Sequence, residues 1–161
     1  MPKRFQEKDT YRVGVVSDTH GRLPQTVLNK FNGVDLIIHA GDIGDPEILD
    51  ALANIAPTIA VRGNMDMGKW MHRLPQKEVI KIGKTVIYVL HDLYRLESNP
   101  GSAGYRVVIN GHTHRPLAEE KHGVLYLNPG SAVLPKFGHP ATVAILQINQ
   151  DSIEVQLIEL N

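Results

Sequence analysis

The sequence contains no cysteine among its 161 residues. Disulfide bonds and thiolate chemistry are therefore excluded, and any bound metal has to use His, Asp, Glu or Asn as its ligands. An excess of charge of one sign is also missing, because 17 Lys and Arg residues balance 17 Asp and Glu residues. This balance gives no evidence for a dominant basic surface of the kind that binds nucleic acid.

Long apolar runs are absent as well. No stretch approaches the roughly 18 to 20 apolar residues that are needed to cross a bilayer. Residues 1–11 are polar and lack the apolar segment of a signal peptide. We therefore expect a cytoplasmic protein with no membrane partner. The length fits a single domain over residues 1–161, with residues 1–10 as a flexible N-terminal extension.

Short apolar runs alternate with amphipathic stretches in the first half of the chain. This alternation predicts three buried strands with two helices between them, the second helix capped by Asp45. The order β-α-β-α-β is typical of a parallel sheet with helices against its faces. The predicted elements are strand 12–17, helix 23–31, strand 35–40, helix 45–55 and strand 57–61.

Strands outnumber helices in the second half. Two pairs of strands flank short turns at residues 83–84 and 149–151 and are predicted to form hairpins. The stretch 93–104 has no clear pattern, and Asn99 with Pro100 either caps a short helix or forms a turn. The whole α/β chain suits a layered sandwich of two sheets with helices outside. The predicted strands are 77–82, 85–91, 105–109, 124–127, 142–148 and 152–160.

Polar side chains follow five of the predicted strands at the point where each strand ends. Open α/β sheets bind their ligands just beyond the carboxyl ends of the strands, so we expect these side chains to meet at one edge. The types present, carboxylate, imidazole and amide, are those that bind metal ions without sulfur. The candidate ligands are Asp18, His20, Asp42, Asn64, His91, His112 and His114.

Glycines precede three of these candidates, at Gly41, Gly63 and Gly111. A glycine lets the chain turn sharply as it leaves a strand and lets the backbone approach an ion closely. Taken singly, each motif has a simpler interpretation, since polar residues after glycine are usually turn residues and His91 could be a hydrogen-bonded strand-end histidine. The joint order of the motifs and their repeated placement at strand ends favour a metal site.

The ordered series resembles the calcineurin-like metallophosphoesterase superfamily. The motifs are Asp18-x-His20, Gly41-Asp42, Gly63-Asn64-x-Asp66, His91 and Gly111-His112-x-His114. Within that superfamily the chain is similar to small bacterial and archaeal phosphodiesterases, and the turn at residues 128–131 matches one typical of them. The resemblance spans nearly the whole chain from residue 12 onward. It implies a four-layer αββα sandwich in which helices flank two mixed β-sheets.

The resemblance also implies a centre of two divalent metal ions. One ion would be held by Asp18, His20, Asp42 and His114, and the other by Asp42, Asn64, His91 and His112. The carboxylate of Asp42 would bridge the two ions. Nitrogen and oxygen ligands suit Mn²⁺, Ni²⁺, Zn²⁺, Fe and Co²⁺ alike, and the resemblance favours Mn²⁺.

For such a centre the resemblance implies hydrolysis of a phosphodiester bond through a metal-bridging hydroxide. Two ions about 3.5–4 Å apart can share one water and lower its pKa toward neutrality. Asp42, Asn64 and His112 are the expected catalytic residues, and Asn64 and His112 are expected to contact the substrate. The expected partner is a small phosphodiester, and a homodimer is compatible with the family although no residue pattern requires it.

The chain departs from the family pattern at three places. Met65 stands where many relatives have a histidine that assists the leaving group, so we expect slow turnover of esters with poor leaving groups. Asp92 follows His91 where relatives often have glycine, and it either orients an imidazole or forms a turn. The segment between His91 and His112 is somewhat short, which bears on the shape of the substrate cleft and not on the metals.

Several residues near these motifs have more ordinary interpretations. His39 lies on a buried strand and is expected to be a core or supporting histidine, and Asp66 is expected to support the turn at Asn64. Met65, Met67, Trp70 and Met71 form an apolar loop that either borders the cleft or forms a subunit contact. Exposed turns are expected at His122 and His139, solvent-facing positions at Arg62 and Arg115, and a structural turn at 128–131.

Two alternatives to a phosphodiesterase remain open from the sequence. One is a phosphomonoesterase with the same metal centre. The other is a non-catalytic scaffold that binds proteins, as the retromer subunit of this fold does with a degraded metal site. That subunit lacks a histidine at the position of His20, and the presence of all seven expected ligands favours catalysis here.

Overall fold

The computed structural model describes residues 2–97, 99–134 and 138–160. Its strands are β1 Lys3–Phe5, β2 Thr10–Val16, β3 Leu36–His39, β4 Thr58–Ala60, β5 Lys77–Ile82, β6 Thr85–Leu90, β7 Val107–Ile109, β8 Leu117–Lys121, β9 Val124–Asn128, β10 Thr142–Asn149 and β11 Ser152–Glu159. The α-helices are α1 Gln25–Lys30 and α2 Pro46–Ala53, and 3-10 helices cover Lys69–Arg73 and Leu93–Arg95. Within the described part of the chain, no helix is long and apolar enough to span a membrane.

The strands form two mixed sheets. One has the order β1-β5-β6-β7-β9-β8 and the other the order β11-β10-β2-β3-β4. Strands β2, β3 and β4 are parallel in the five-stranded sheet, and β6, β7 and β9 are parallel in the six-stranded sheet. The predicted α/β sandwich of two mixed sheets is confirmed, and each sheet brings the carboxyl ends of its parallel strands to a common edge.

Side chains from both sheets form one core between them. Val15 and Ile38 of the five-stranded sheet are fully buried there with Ile87, Ile109 and Leu127 of the six-stranded sheet. Because side chains alternate along a strand, every second residue faces the partner sheet. Burial of these aliphatic side chains fixes the register of the strands, and with it the positions of the residues that follow each strand.

The other face of the five-stranded sheet is covered by the two α-helices. Ile37 packs there with Phe31 after α1 and Leu52 of α2, all fully buried. Helix α2 begins as predicted, because the carboxylate of Asp45 accepts a hydrogen bond from the N–H of Glu47 at 2.9 Å.

The outer face of the six-stranded sheet has a thinner cover. Tyr88 and Leu90 are buried on this face, and Leu96 and Tyr105 pack against them. In the described residues this cover consists of the 3-10 helix Leu93–Arg95 and the turns that follow it, instead of an α-helix. Part of this face is therefore left accessible next to the end of β6.

The stretch between residues 99 and 105 forms turns. The side-chain oxygen of Asn99 accepts a hydrogen bond from the N–H of Gly101 at 3.0 Å. Of the two alternatives considered for Asn99 with Pro100, the structure therefore has the turn.

Two edge strands were not expected from the sequence. Residues 1–10 were predicted as a flexible extension, but β1 pairs in parallel with β5, Lys3 opposite Ile80 and Phe5 opposite Ile82. Every residue of β8 is exposed, so the strand lacks the apolar alternation by which strands are recognised. Both strands are held by backbone hydrogen bonds to a neighbouring edge, which depend little on side-chain type.

Candidate metal centre

All seven candidate ligands lie just after the carboxyl ends of parallel strands, as predicted. Asp18 and His20 follow β2, Asp42 follows β3, Asn64 follows β4, His91 follows β6, and His112 and His114 follow β7. The first three strands belong to one sheet and the last two to the other. The candidate site therefore lies where the carboxyl ends of the parallel strands of one sheet meet those of the other.

Five of the seven candidate ligands have a left-handed backbone conformation. Their φ angles are 55° at Asp18, 46° at His20, 56° at Asp42, 72° at His112 and 63° at His114. Residues other than glycine avoid this region, although Asp and His tolerate it better than most. Such strain persists only where the surrounding structure holds it, and it concentrates at functional sites.

The predicted role of the glycines is seen most clearly at Gly41. Its φ angle is 103°, and a Cβ atom there would lie 2.7 Å from Nδ1 of His91. A Cβ atom at Gly63 would overlap the carboxylate of Asp42, and one at Gly111 would overlap the hydroxyl of Ser17. These positions require glycine because the backbone itself lies against the candidate ligands.

Each of the two buried carboxylates has one oxygen held by hydrogen-bond donors and the other directed into the site. Oδ2 of Asp18 accepts hydrogen bonds from the hydroxyl of Ser17 at 2.6 Å and the N–H of His112 at 3.1 Å. Oδ1 of Asp42 accepts one from the N–H of Met65 at 2.8 Å. The remaining oxygens, Oδ1 of Asp18 and Oδ2 of Asp42, face the imidazoles.

Two of the imidazoles are oriented by backbone carbonyls. Nδ1 of His91 donates to the carbonyl of Ala40 at 2.7 Å, and Nδ1 of His114 donates to the carbonyl of Leu134 at 2.7 Å. A carbonyl can only accept, so in the neutral tautomer the proton lies on Nδ1 and Nε2 keeps its lone pair. This arrangement is the usual one for histidines that bind a metal through Nε2.

The side chains form two groups that share Asp18. The His20 group consists of Asp18, His20 and His114, and the His91 group consists of Asp18, Asp42 and His91; in each, the possible ligand atoms lie within 4.8 Å of one another. Oδ2 of Asp42 lies 3.2 Å from Nε2 of His91 and 3.7 Å from Nε2 of His20. Asp42 thus reaches both groups, as its expected bridging position requires.

The donor atoms fit a metal by their chemistry as well as their spacing. Oδ1 of Asp18, Nε2 of His20 and Nε2 of His91 are buried and have no hydrogen-bond partner in the described residues. Leaving a buried polar atom unpaired costs about 1–3 kcal/mol, so several at one point need an explanation. Divalent ions coordinated by these oxygen and nitrogen atoms would supply it.

Asn64 and His112 lie beside the His91 group and are more accessible to solvent than its members. Nδ1 of His112 is 3.1 Å from Oδ1 of Asn64, and the rings of His112 and His91 have centroids 5.2 Å apart. Asn64 is exposed, whereas Asp18, Asp42 and His91 are buried. The pair therefore lies at the entrance to the site, where a substrate would arrive.

The electrostatics of the metal-free site favour ionised carboxylates. Burial alone would raise the pKa of Asp18, but the nearby imidazoles of His114 and His20, at 3.3 and 3.6 Å from its Oδ1, outweigh it and hold that pKa well below its usual range. Burial is likewise outweighed at His91, where the carboxylate of Asp42, 3.2 Å from Nε2, raises the pKa of the imidazole. Metal binding must therefore displace protons from the imidazoles, so the affinity is expected to rise with pH.

Asp66 holds together the turns that carry Asp42 and Asn64. Its two buried oxygens accept four backbone N–H bonds, from Asp42 at 3.1 Å, Ile43 at 2.8 Å, Gly44 at 2.9 Å and Gly63 at 2.8 Å. Asp66 therefore supports the turn that carries Asn64, as expected, and also the turn that carries Asp42. This extra role was not evident from the sequence, because the two turns are distant along the chain.

His39 links the turn of Asp18 to the turn of Asp42. Nδ1 of His39 accepts from the N–H of Gly41 at 3.1 Å, and Nε2 donates to the hydroxyl of Thr19 at 3.0 Å. Complete burial lowers the pKa of His39 to about 3. His39 is therefore a neutral supporting histidine, in agreement with its sequence-based interpretation.

The turn at residues 128–131 also contacts the site from outside. The amide of Asn128 donates to the carbonyl of Gly111 at 3.0 Å, and the hydroxyl of Ser131 donates to the carbonyl of Asp18 at 2.7 Å. The sequence predicted a structural turn without indicating what it supports. These bonds, with that of Ser17, show that residues next to the ligand turns complete the site.

The remaining predicted residues have varied positions. Asp92 is a turn carboxylate, because its Oδ1 accepts the N–H of Tyr94 at 3.1 Å and begins the 3-10 helix Leu93–Arg95. His122 is exposed with a φ angle of 51°, whereas His139 is half-buried. Arg115 is exposed.

Comparisons with known proteins show the family of the chain. Residues 11–151 match the model of the calcineurin-like phosphoesterase superfamily domain. A protein of Methanocaldococcus jannaschii named "Probable metallophosphoesterase MJ0623" is 38% identical, over 94% of this chain and 82% of that protein. Phosphodiesterase YfcE of Escherichia coli K12 is 31% identical, over 90% of each chain. The chain belongs to the calcineurin-like phosphoesterase superfamily, which confirms the family predicted from its motifs.

Solved structures support the same assignment. A structure described as a novel archaeal phosphodiesterase has a TM-score of 0.75 at 28% identity and covers 91% of this chain and 99% of that one. Vacuolar protein sorting 29 from Cryptosporidium parvum has a TM-score of 0.78 at 22% identity, with 94% and 92% coverage, a likeness that concerns the fold alone. Membership of a metallophosphoesterase family, together with the two groups of Asp and His, identifies the protein as one that uses divalent metal ions.

Replacing Asp66 by Asn should weaken metal binding although Asp66 is not itself a candidate metal ligand. The amide retains one acceptor oxygen and turns an NH₂ group toward backbone N–H groups, so the turn of Asp42 loses its support. We expect the Mn²⁺ affinity, measured by titration calorimetry, to fall by about 10- to 100-fold. The matched control is Asp45→Asn at the cap of α2, where Asn is an equally good cap; equal affinity of Asp66→Asn and the parent would contradict the expectation.

Replacing His39 by Gln should change how stability depends on pH. The pKa of His39 is about 3 in the folded protein and about 6.5 in an unfolded chain. Between these values the unfolded chain binds one more proton, so acid favours unfolding of the parent. We expect His39→Gln to cost about 1 kcal/mol above pH 7, and this difference to shrink as the pH falls below 6.5, because Gln does not titrate.

The measurement is urea unfolding of the metal-free parent and His39→Gln proteins between pH 4 and 7.5. His72→Gln, on the exposed surface of the 3-10 helix Lys69–Arg73, is the control. A stability difference between the parent and His39→Gln that stays constant over the whole range would exclude the proposed protonation difference.

Proposed function

We propose that the protein is a two-metal phosphodiesterase in which the seven side chains hold a pair of divalent ions, with Mn²⁺ as the favoured metal. The observation that carries this proposal is the convergence of unpartnered buried atoms of Asp18, His20 and His91 at one point. The names of the relatives support the reaction class, since two of them are called phosphodiesterases.

The proposed ligand sets extend the two groups by Asn64 and His112, with Asp42 instead of Asp18 as the shared ligand. Asp18, His20 and His114 would hold one ion, and His91, Asn64 and His112 the other, with Asp42 between them. Such a pair of ions supplies positive charge for the phosphoryl oxygens and acidifies a water that can attack phosphorus. The hydrogen bonds to Oδ2 of Asp18 and Oδ1 of Asp42 keep the opposite oxygens aimed at the ions.

Asn64 and His112 are the proposed contacts for the phosphate. Asn64 is exposed and His112 is half-buried, and Nδ1 of His112 is 3.1 Å from Oδ1 of Asn64. The amide NH₂ of Asn64 can donate to a phosphoryl oxygen, and such a donor stabilises the charge that grows there as the nucleophile arrives. Nδ1 of His112 donates to Oδ1 of Asn64 and would hold that amide in place.

Met65 supports a dependence on the leaving group. Its backbone N–H is used by Asp42, and its thioether side chain, 55% exposed, has no proton to give. A departing alkoxide would receive no proton from this position, so diesters with acidic leaving groups should react faster.

A non-catalytic scaffold and a phosphomonoesterase are the alternatives. Complete metal groups that include His20 support catalysis over the scaffold. A panel of phosphomonoesters and phosphodiesters with the same aryl group decides between the two enzymes, because faster hydrolysis of the monoester would reverse the assignment.

Removal of the metal should abolish activity, and so should loss of Asp42. We expect chelated protein to be inactive on bis(4-nitrophenyl) phosphate and to recover when Mn²⁺, Ni²⁺ or Zn²⁺ is added. Asp42→Ala removes the carboxylate that reaches both groups, so kcat should fall by more than about 100-fold. Asp92→Ala, which lies next to a ligand but serves only a turn, should keep its rate within a few-fold; normal activity of Asp42→Ala would point to a contaminant.

The leaving group should control the rate. We expect kcat for an aryl phosphodiester to exceed that for a dialkyl diester by more than about 100-fold, the range that general acid catalysis otherwise contributes. Met65→His, which restores a proton donor at this position, should narrow the gap, and Met67→His on the same exposed loop is its control. Equal kcat values for aryl and alkyl diesters in the parent would mean that another group protonates the leaving oxygen.

A further inference from the structure

A cleft of about 670 Å³ opens beside the proposed metal centre. Asn64 and His91 form its inner end, and it runs outward between the loop after β4 and the segment after β6. Neither His20 nor His114 is among the described residues that line it. The cleft therefore opens from the His91 side of the centre, next to Asn64 where the phosphate would bind, and its volume suits a small organic group rather than a phosphate alone.

The floor of the cleft is apolar. Tyr88 and Leu90 come from the outer face of β6, and Leu96 borders them. The ring of Tyr88 is held in place by that of Tyr105, with ring centroids 4.8 Å apart. Tyr94, which is 95% exposed, lies at the mouth. A surface with a fixed aromatic ring and a second aromatic side chain nearby favours a planar, aromatic ligand.

The border of the cleft carries two available cations. Arg62 and Arg95 line it, and the described residues provide neither of them with an ion pair. Lys77, also on the border, differs because it is paired with Glu97 at 3.7 Å. The carboxylate of Asp92 is engaged with the backbone of the 3-10 helix. Guanidinium groups bind phosphate and carboxylate oxygens by two hydrogen bonds at once, so an anionic ligand group fits here.

We infer that the cleft holds one ester group of the diester and that this group is aromatic and carries a second anion, the chemistry of a nucleotide. The ring lies over Tyr88 and Leu90, the second anion meets Arg62 and Arg95, and the scissile phosphate lies at Asn64 and His91. This inference rests on the proposed phosphodiesterase function. It adds that specificity comes from the ester group in the cleft and not from the phosphate.

The test uses three diesters that share the 4-nitrophenolate leaving group and differ only in the other ester group. That group is methyl, 5′-thymidyl, or 5′-thymidyl with an additional 3′-phosphate. We expect kcat/KM of the metal-loaded protein to rise along this series, by on the order of tenfold from methyl to thymidyl because of the ring. The 3′-phosphate should add a further factor of about five, typical of a partly exposed charge pair.

Variants assign the second anion to the two arginines. Arg62→Gln and Arg95→Gln should each reduce the ratio of kcat/KM between the phosphorylated and unphosphorylated thymidyl diesters toward one. Arg4→Gln changes an exposed arginine on β1 that pairs with Lys81, at the opposite end of β5 from Lys77 of the cleft, and should leave that ratio unchanged. A ratio that Arg62→Gln and Arg95→Gln do not alter would overturn the anion site.

A binding measurement gives a readout independent of turnover. Thymidine 3′,5′-bisphosphate titrated into the metal-free protein should bind more weakly to Arg95→Gln than to Arg4→Gln or the parent. Equal kcat/KM for the methyl and thymidyl diesters, or equal binding by all three proteins, would overturn the cleft proposal and leave the phosphodiesterase intact. No hydrolysis of any of the three diesters with any added metal would instead overturn the proposed function itself.

Discussion

The structure of the site depends on two buried carboxylates, those of Asp18 and Asp42, whose inner oxygens face the Nε2 atoms of several imidazoles. Asp18 and Asp42 are almost completely buried. Oδ1 of Asp18 has no hydrogen-bond partner among the described residues, and Oδ2 of Asp42 faces Nε2 of His91 at 3.2 Å. Burying such oxygens without compensation is unfavourable. The strained turns, the glycines and the surrounding hydrogen bonds are all consistent with an arrangement that tolerates this unfavourable term in order to bind cations.

The sandwich supplies what a small protein needs for such an arrangement. Two sheets that share one aliphatic core bring the ends of β2, β3 and β4 opposite those of β6 and β7. Ligands from both sheets can then meet without a long loop. The position of each ligand is fixed by strand register, which is in turn fixed by burial of alternate side chains such as Val15, Ile38 and Ile109.

Much of this could be predicted from sequence because the buried strands carry runs of Val, Ile and Leu and the ligands follow them directly. The edge strands β1 and β8 could not, since they have few buried side chains and pair through the backbone. The orientation of the ligand side chains could also not be predicted from the sequence. The carbonyl of Ala40 that orients His91 is 51 residues away in the chain, and only the folded turns bring it there.

The network around Asp66, His39 and Ser131 has a consequence for metal exchange. These residues join the ligand turns to each other by hydrogen bonds that involve no ion. The turns that carry the ligands are thus connected without the ions, and an ion can bind or leave without breaking these hydrogen bonds.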